Sequence, residues 1–207
     1  MIGWNRLLAG GFRDPLVGHD VLVGVAFGSA AAALTALHQL ILARLGSTPP
    51  VSVSPSSLLG VRGAIASFLV VLPSCVIQAL IWFILIFILR VILRRNWLAA
   101  VGFVLIYALL NGLSATAAPT VAALSGAAET AVLVFVMLRF GLVSLLSASF
   151  VYVMMILFPL TTDFSLWYSG AALFAVLVIA AMAAFAFHTS LAGRSLFDDV
   201  EPLDIQH

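Results

Sequence analysis

The chain has 207 residues, of which 64% are hydrophobic and only 8% are charged. Soluble domains carry about 25% charged residues, so this composition excludes an ordinary water-facing surface and predicts a polytopic membrane protein. The net charge of +1, with no lysine in the chain, excludes the clustered basic surface that binds nucleic acid.

Apolar runs separated by short polar segments predict an all-α fold of six transmembrane helices. Asp20 is the predicted N-cap of the first helix, and the Pro/Ser-rich stretch 47–57 is a predicted loop. Glu129 makes helix 4 the weakest apolar segment. The predicted helices span 21–45, 64–89, 97–117, 121–138, 142–160 and 166–187.

The domain organisation follows from these runs. Residues 1–19 form a predicted cytoplasmic or interfacial leader, 20–188 the six-helix membrane domain, and 189–207 an acidic cytoplasmic tail. The single cysteine, Cys75, excludes an intramolecular disulfide and a multi-thiolate metal site.

The distribution of arginine predicts the orientation, because positively charged loops stay in the cytoplasm. Six helices place both termini on one side, together with seven of the nine arginines. We therefore predict an N-in/C-in protein of the bacterial inner (cytoplasmic) membrane. The seven are Arg6, Arg13, Arg90, Arg94, Arg95, Arg139 and Arg194, against Arg44 and Arg62 on the other side.

Glu129 is the acidic residue that lies well inside a predicted span. An ionisable side chain at the bilayer centre costs about 2.5 to 3.5 kcal/mol, so it needs a partner, a water-filled cavity or a neutral state. One interpretation is a neutral acid that hydrogen-bonds a neighbouring helix, and the other is proton or cation handling. His38, Gln78 and Asn111 are further intramembrane polar residues that are predicted to form a cluster with it.

Small residues indicate close helix packing in two places. Gly24 and Gly28 form a Gly-x-x-x-Gly pair in helix 1, and alanines recur along helix 6. We interpret both faces as packing surfaces inside the bundle, with a homodimer contact as the alternative.

The sequence contains no motif that indicates an enzyme. The four histidines are scattered, so there is no His-Glu-x-x-His zinc motif, and Glu129 has no second carboxylate for an aspartyl protease. We predict that the protein is not an enzyme and that it has no catalytic residue, metal site or cofactor.

Several short stretches together resemble the C-terminal membrane region of bacterial, notably acidobacterial, serine/threonine protein kinases. They are residues 13–20 (RDPLVGHD), 138–142 (LRFGL), 158–163 (FPLTTD), 167–170 (WYSG) and 191–194 (LAGR). The chain has no glycine-rich loop, lysine or catalytic-loop aspartate of a kinase domain. The resemblance therefore implies a non-catalytic, sensory or anchoring membrane module whose partner is a separate kinase.

The alternative function is a small-solute or proton-coupled transporter that uses Glu129 with His38, Gln78 and Asn111. The surroundings of Glu129 discriminate between the two. A cavity near the middle of the membrane favours transport, whereas a dry interhelical hydrogen bond favours a structural module. The lipid bilayer is the expected partner in both cases, and a homo-oligomer is compatible with both.

Overall fold

The computed structural model describes residues 14–47, 53–115, 118–159, 161, 163 and 165–191. Within these residues the secondary structure consists of six α-helices and one 3-10 turn over Pro55–Leu58. The helices are α1 (Pro15–Arg44), α2 (Gly60–Leu93), α3 (Asn96–Ser114), α4 (Pro119–Arg139), α5 (Leu142–Leu157) and α6 (Ser169–Ser190).

Five of these helices, all except α5, are long and apolar enough to cross a membrane. Helix formation is required in lipid because each backbone N–H and C=O must find a partner within the chain. The outer faces of the bundle carry many large apolar side chains, such as Leu59, Leu113 and Trp167, which are each more than 70% exposed. Such a surface would be costly in water, so the chain is a multi-pass membrane protein.

The short helix α5 is the centre of the bundle. Its 16 residues span about 24 Å, which is less than the hydrocarbon thickness of a bilayer. It packs against α1, α2 and α4, and most of its residues are buried. Its last carbonyl, that of Leu157, accepts hydrogen bonds from the Ser54 N–H at 3.0 Å and the Ser57 hydroxyl at 3.2 Å. Residues 54–57, just before α2, thus cover the end of α5.

All six helices run between the same two ends of the bundle. At one end the start of α1 meets the end of α6, because a Cβ on Gly18 would lie 2.7 Å from the Ala186 carbonyl oxygen. The α4–α5 turn is at the same end, with the Phe140 ring 6.2 Å from the His19 ring. We call this the arginine end, since Arg139 lies there, and we call the opposite end, where Ser54 contacts Leu157, the loop end.

The Gly-x-x-x-Gly face of α1 packs against α5, which confirms the prediction of a surface inside the bundle. A Cβ on Gly24 would lie 2.7 Å from the Ser144 carbonyl oxygen, and one on Gly28 would overlap the Ala148 carbonyl oxygen. These glycines therefore let two backbones approach more closely than any larger residue permits. In α6, Ala172 and Ala175 are buried, whereas Ala180 and Ala184 are exposed.

The start of helix 1 was predicted wrongly. The helix begins at Pro15 rather than Val21, so residues 15–19 of the predicted leader are helical. Asp14 is the N-cap, since its carboxylate accepts a hydrogen bond from the Leu16 N–H at 3.0 Å, and Pro15 occupies the first turn. Asp20 therefore lies inside the helix. The rest of the predicted leader, and the tail from residue 192, lie outside the described residues.

Helices 4 and 5 also differ from the prediction. Helix 4, predicted as the weakest segment, runs from Pro119 to Arg139 and is among the five long apolar helices. Helix 5 ends at Leu157 and not at residue 160, because the chain becomes extended at Phe158 before Pro159, which disfavours helical geometry in the preceding residue. Helices α2, α3 and α6 begin and end three or four residues away from their predicted limits, apart from the start of α3, which is one residue away.

Candidate functional site

Glu129 lies at the middle of α4, ten residues from both Pro119 and Arg139. At 1.5 Å per residue the carboxyl group is about 15 Å from each end of the helix. In a bilayer with a hydrocarbon core of about 30 Å this position is close to the midplane.

Two hydroxyl groups from neighbouring helices bind the Glu129 carboxyl. The Thr35 hydroxyl of α1 donates to Oε1 at 2.9 Å, and the Tyr152 hydroxyl of α5 donates to Oε2 at 3.0 Å. The two hydroxyl oxygens are themselves 3.4 Å apart. Glu129, Thr35 and Tyr152 form a closed cluster, which we call the Glu129 cluster, and it joins α1, α4 and α5.

The Glu129 cluster can satisfy both protonation states of the acid. An ionised carboxylate only accepts, and here each of its oxygens has a hydroxyl donor. A protonated acid must donate one hydrogen bond, and Thr35 Oγ1 can accept it, because its own proton can turn to the Ala31 carbonyl oxygen 3.4 Å away. A change of protonation therefore needs only the rotation of one hydroxyl group.

A cavity of about 340 Å³ lies beside the Glu129 cluster, where α2, α3, α4 and α5 meet. Glu129 is the only acidic residue among the described residues that line it. An adjoining cavity of about 180 Å³ between α2 and α5 shares Gln78, Ser149 and Val153 with it and is otherwise mostly apolar. The lining of the larger cavity consists of Gln78, Trp82, Tyr107, Asn111, Gly126, Glu129, Thr130, Leu133, Ser149, Tyr152 and Val153.

The wall formed by α2 and α3 is aromatic with a polar edge. The Trp82 indole N–H donates to the Tyr107 hydroxyl at 2.7 Å, and their ring centroids are 4.9 Å apart. The Gln78 amide also reaches this hydroxyl, at 3.4 Å. Tyr107 thus accepts two hydrogen bonds, and its own proton has no acceptor among the described residues, so it can donate to a molecule in the cavity.

The Asn111 side chain lies over the backbone of α4. Its amide donates to the Tyr107 carbonyl oxygen at 2.9 Å, and a Cβ on Gly126 would be 2.8 Å from its Cγ atom. Gly126 therefore makes room for the amide. Asn111 is three residues from the end of α3, so the cavity extends from the middle of the bundle towards its loop end.

Three of the four predicted cluster residues, Glu129, Gln78 and Asn111, line this one cavity. No hydrogen bond among the described residues joins Glu129 to either amide. His38 is not among the residues that line the cavity. It lies three residues beyond Thr35 on α1, and its buried Nδ1 atom has no described hydrogen-bond partner.

Sequence reasoning missed the hydroxyl and aromatic members of the site, chiefly Thr35, Tyr152, Trp82 and Tyr107. A signal for the two tyrosines was present. Aromatic residues with a polar tip normally collect at the membrane interface, as expected for Trp167 and Tyr168 just before α6, whereas Tyr107 and Tyr152 lie well inside predicted helices. A tyrosine hydroxyl at membrane depth needs a hydrogen-bond partner, and here Trp82 bonds to Tyr107 and Glu129 to Tyr152.

Comparison with known proteins gives no match, whether to a protein family model, to a curated protein or to a solved structure. The membrane-module function implied by the kinase resemblance therefore stays a prediction. Among the described residues no group of three or more His, Cys, Asp or Glu side chains could hold a metal ion.

Proposed function

We propose that the chain binds a small organic cation at Glu129 and exchanges it for a proton across the membrane. The observation that carries this proposal is the position of the Glu129 carboxyl, near the middle of the bundle and on the wall of a polar cavity. A carboxyl group needed only for packing would be expected in a dry contact between helices. Intramembrane acids that face a cavity are typical of ion and proton pathways.

The chemistry of the cavity favours a cation with a small apolar part. Glu129 supplies negative charge, and no arginine or histidine is among the described residues that line the cavity. Trp82 and Tyr107 offer aromatic rings, which attract quaternary and protonated amines. The adjoining apolar cavity beside Cys75 and Val71 can receive an alkyl group. The volume of about 340 Å³ is at the small end of ligand pockets, which suits a solute of this size.

Competition for one carboxyl group couples the solute to the proton. A protonated Glu129 is neutral and has little attraction for a cation, whereas a bound cation stabilises the ionised form. The bound cation therefore lowers the affinity of Glu129 for a proton, and a bound proton lowers its affinity for the cation by the same factor. Hydroxyl rotation in the Glu129 cluster allows the exchange without breaking the contacts between α1, α4 and α5.

The test uses proteoliposomes that contain the full chain and an entrapped pH-sensitive dye. External choline is expected to raise the internal pH, because each choline that enters releases a proton to the outside. The isosteric neutral alcohol 3,3-dimethylbutanol, and liposomes without protein, are expected to give no change. If choline, tetramethylammonium and tetraethylammonium all leave the internal pH unchanged, the proposal of cation exchange at this site is wrong.

The orientation proposed for the chain is N-in/C-in in the cytoplasmic membrane of a bacterium. Its support is the distribution of the described arginines. Arg90, Arg94, Arg95 and Arg139 lie at the hairpins of the arginine end, whereas Arg44 and Arg62 lie at the loop end. Positively charged hairpins favour the cytoplasmic side.

Cysteine labelling tests this orientation with the exposed residues Ser56 and Asn96, which lie just before the start and just after the end of α2. Ser56→Cys is expected to react with a membrane-impermeant maleimide on intact cells, and Asn96→Cys only after the cells are permeabilised. The parent chain is the control, since its Cys75 is 3% exposed and should not react. The reverse pattern would contradict the orientation.

A further inference from the structure

A groove at the arginine end lies between the end of α2 and the α4–α5 turn. It has a volume of about 220 Å³ and is separate from the polar cavity, with which it shares no lining residue. Arg90 and Arg139 contribute cationic groups, and the other lining residues are apolar. These are Phe83, Ile86, Phe87, Met137, Leu138, Phe140, Gly141 and Leu142.

The positive charge of this groove is not compensated by the described part of the chain. Arg90 and Arg139 are exposed, and no described carboxylate lies within ion-pair distance of either. Arg94 and Arg95 follow Arg90 at the same hairpin. The first turn of α5, which begins at the groove residue Leu142, has no acidic residue and no capping side chain, so the positive end of its dipole adds to the field.

The apolar part of the groove leads from the charges into the membrane. Phe83, Phe87 and Arg90 are spaced four and three residues apart, which places them along one face of α2. Phe87 and Leu138, on opposite sides of the groove, are each at least half exposed. The groove is therefore open sideways, towards lipid, and its charges are at the level where lipid headgroups lie.

We propose that this groove binds an anionic phospholipid, with the phosphate between Arg90 and Arg139 and an acyl chain along Phe83 and Phe87. Arginine recognises phosphate through paired hydrogen bonds, and basic pockets between helices on the cytoplasmic side are suited to acidic headgroups. A free phosphate would use the arginines but would leave the apolar wall without a role. The site is independent of the cation exchange proposed at Glu129.

The test measures lipid retention by native mass spectrometry of the full chain in detergent. Dioleoyl phosphatidylglycerol is expected to bind about tenfold more tightly than dioleoyl phosphatidylethanolamine, which has the same acyl chains. In the double variant Arg90→Gln/Arg139→Gln this preference should disappear. The matched control Arg44→Gln/Arg62→Gln removes two arginines from the loop end. This variant should retain the preference for phosphatidylglycerol.

Three results would overturn the proposal. The first is equal loss of the preference in both double variants, which would indicate a general effect of charge. The second is displacement of the lipid by millimolar inorganic phosphate, or equal binding of a dihexanoyl lipid, which would indicate a free-anion site. The third is a preference that appears only when Asp198, Asp199 and Glu201 are neutralised, which would make the acidic C-terminal segment the occupant.

Discussion

Replacing Glu129 with glutamine is expected to reduce choline-driven proton movement by about a hundredfold or more, to the rate of liposomes without protein. Glutamine keeps the size and shape of the side chain but binds no proton near neutral pH and carries no negative charge. It therefore removes both the proton site and the attraction for a cation. The measurement is the initial rate of internal pH change after choline is added.

Asp163→Asn is the matched control, because Asp163 is an exposed acid outside the helices. Hydrogen bonds from the Ser165 hydroxyl and backbone N–H lower the pKa of Asp163, so this carboxylate is ionised at neutral pH. Its loss should leave the exchange rate unchanged. Proton movement that survives in Glu129→Gln would contradict the assignment of Glu129 as the exchange site.

The thermal stability of Glu129→Gln gives independent information about the resting state of the acid. If Glu129 is normally neutral, the amide replaces it with little change, because both groups can accept and donate within the Glu129 cluster. A large loss of stability would indicate an ionised carboxylate that the hydroxyls of Thr35 and Tyr152 stabilise. The buried Cys75 reports unfolding, since a thiol-reactive dye reaches it only when the bundle opens.

Replacing Gly28 with alanine is expected to lower the free energy of unfolding by about 1 to 3 kcal/mol, although alanine is the better helix former. The added methyl group would overlap the Ala148 carbonyl oxygen and lie 3.0 Å from the Val151 Cβ atom. Both belong to α5, which is packed on several sides and cannot move away freely. The measurement is the temperature at which Cys75 becomes reactive.

Gly170→Ala is the control for this substitution. Gly170 lies in the first turn of α6, and a Cβ there would have no neighbour within 4 Å. It should leave the stability unchanged or raise it by up to about 1 kcal/mol, through helix propensity alone. Equal stability of the Gly28→Ala and Gly170→Ala variants would show that the glycine face of α1 does not determine how closely α1 packs against α5.

The sequence alone determined the membrane class, the helical fold and the approximate position of every helix. This was possible because lipid imposes a strict rule: a chain that crosses it must be apolar outside and hydrogen-bonded within each helix. The same rule identified Glu129, since a carboxyl group in an apolar run is costly wherever the helix packs. Asp14 and Pro15 also form a local capping pattern that marks the start of α1, although the prediction placed that start at Val21, with Asp20 as its N-cap.

Only the tertiary structure decided which side chains meet. Hydropathy does not encode helix order or rotation, so it could not show that Thr35 and Tyr152 bind Glu129 while His38 lies apart from the cavity. Nor could it show that α5, short and ending before Pro159, is the central helix, with the Ser54 and Ser57 loop covering its end. Arg90 and Arg139 are distant in sequence and come together at one groove. Such contacts depend on the shapes of facing helices, because in lipid packing and hydrogen bonds, rather than burial from water, select the partners.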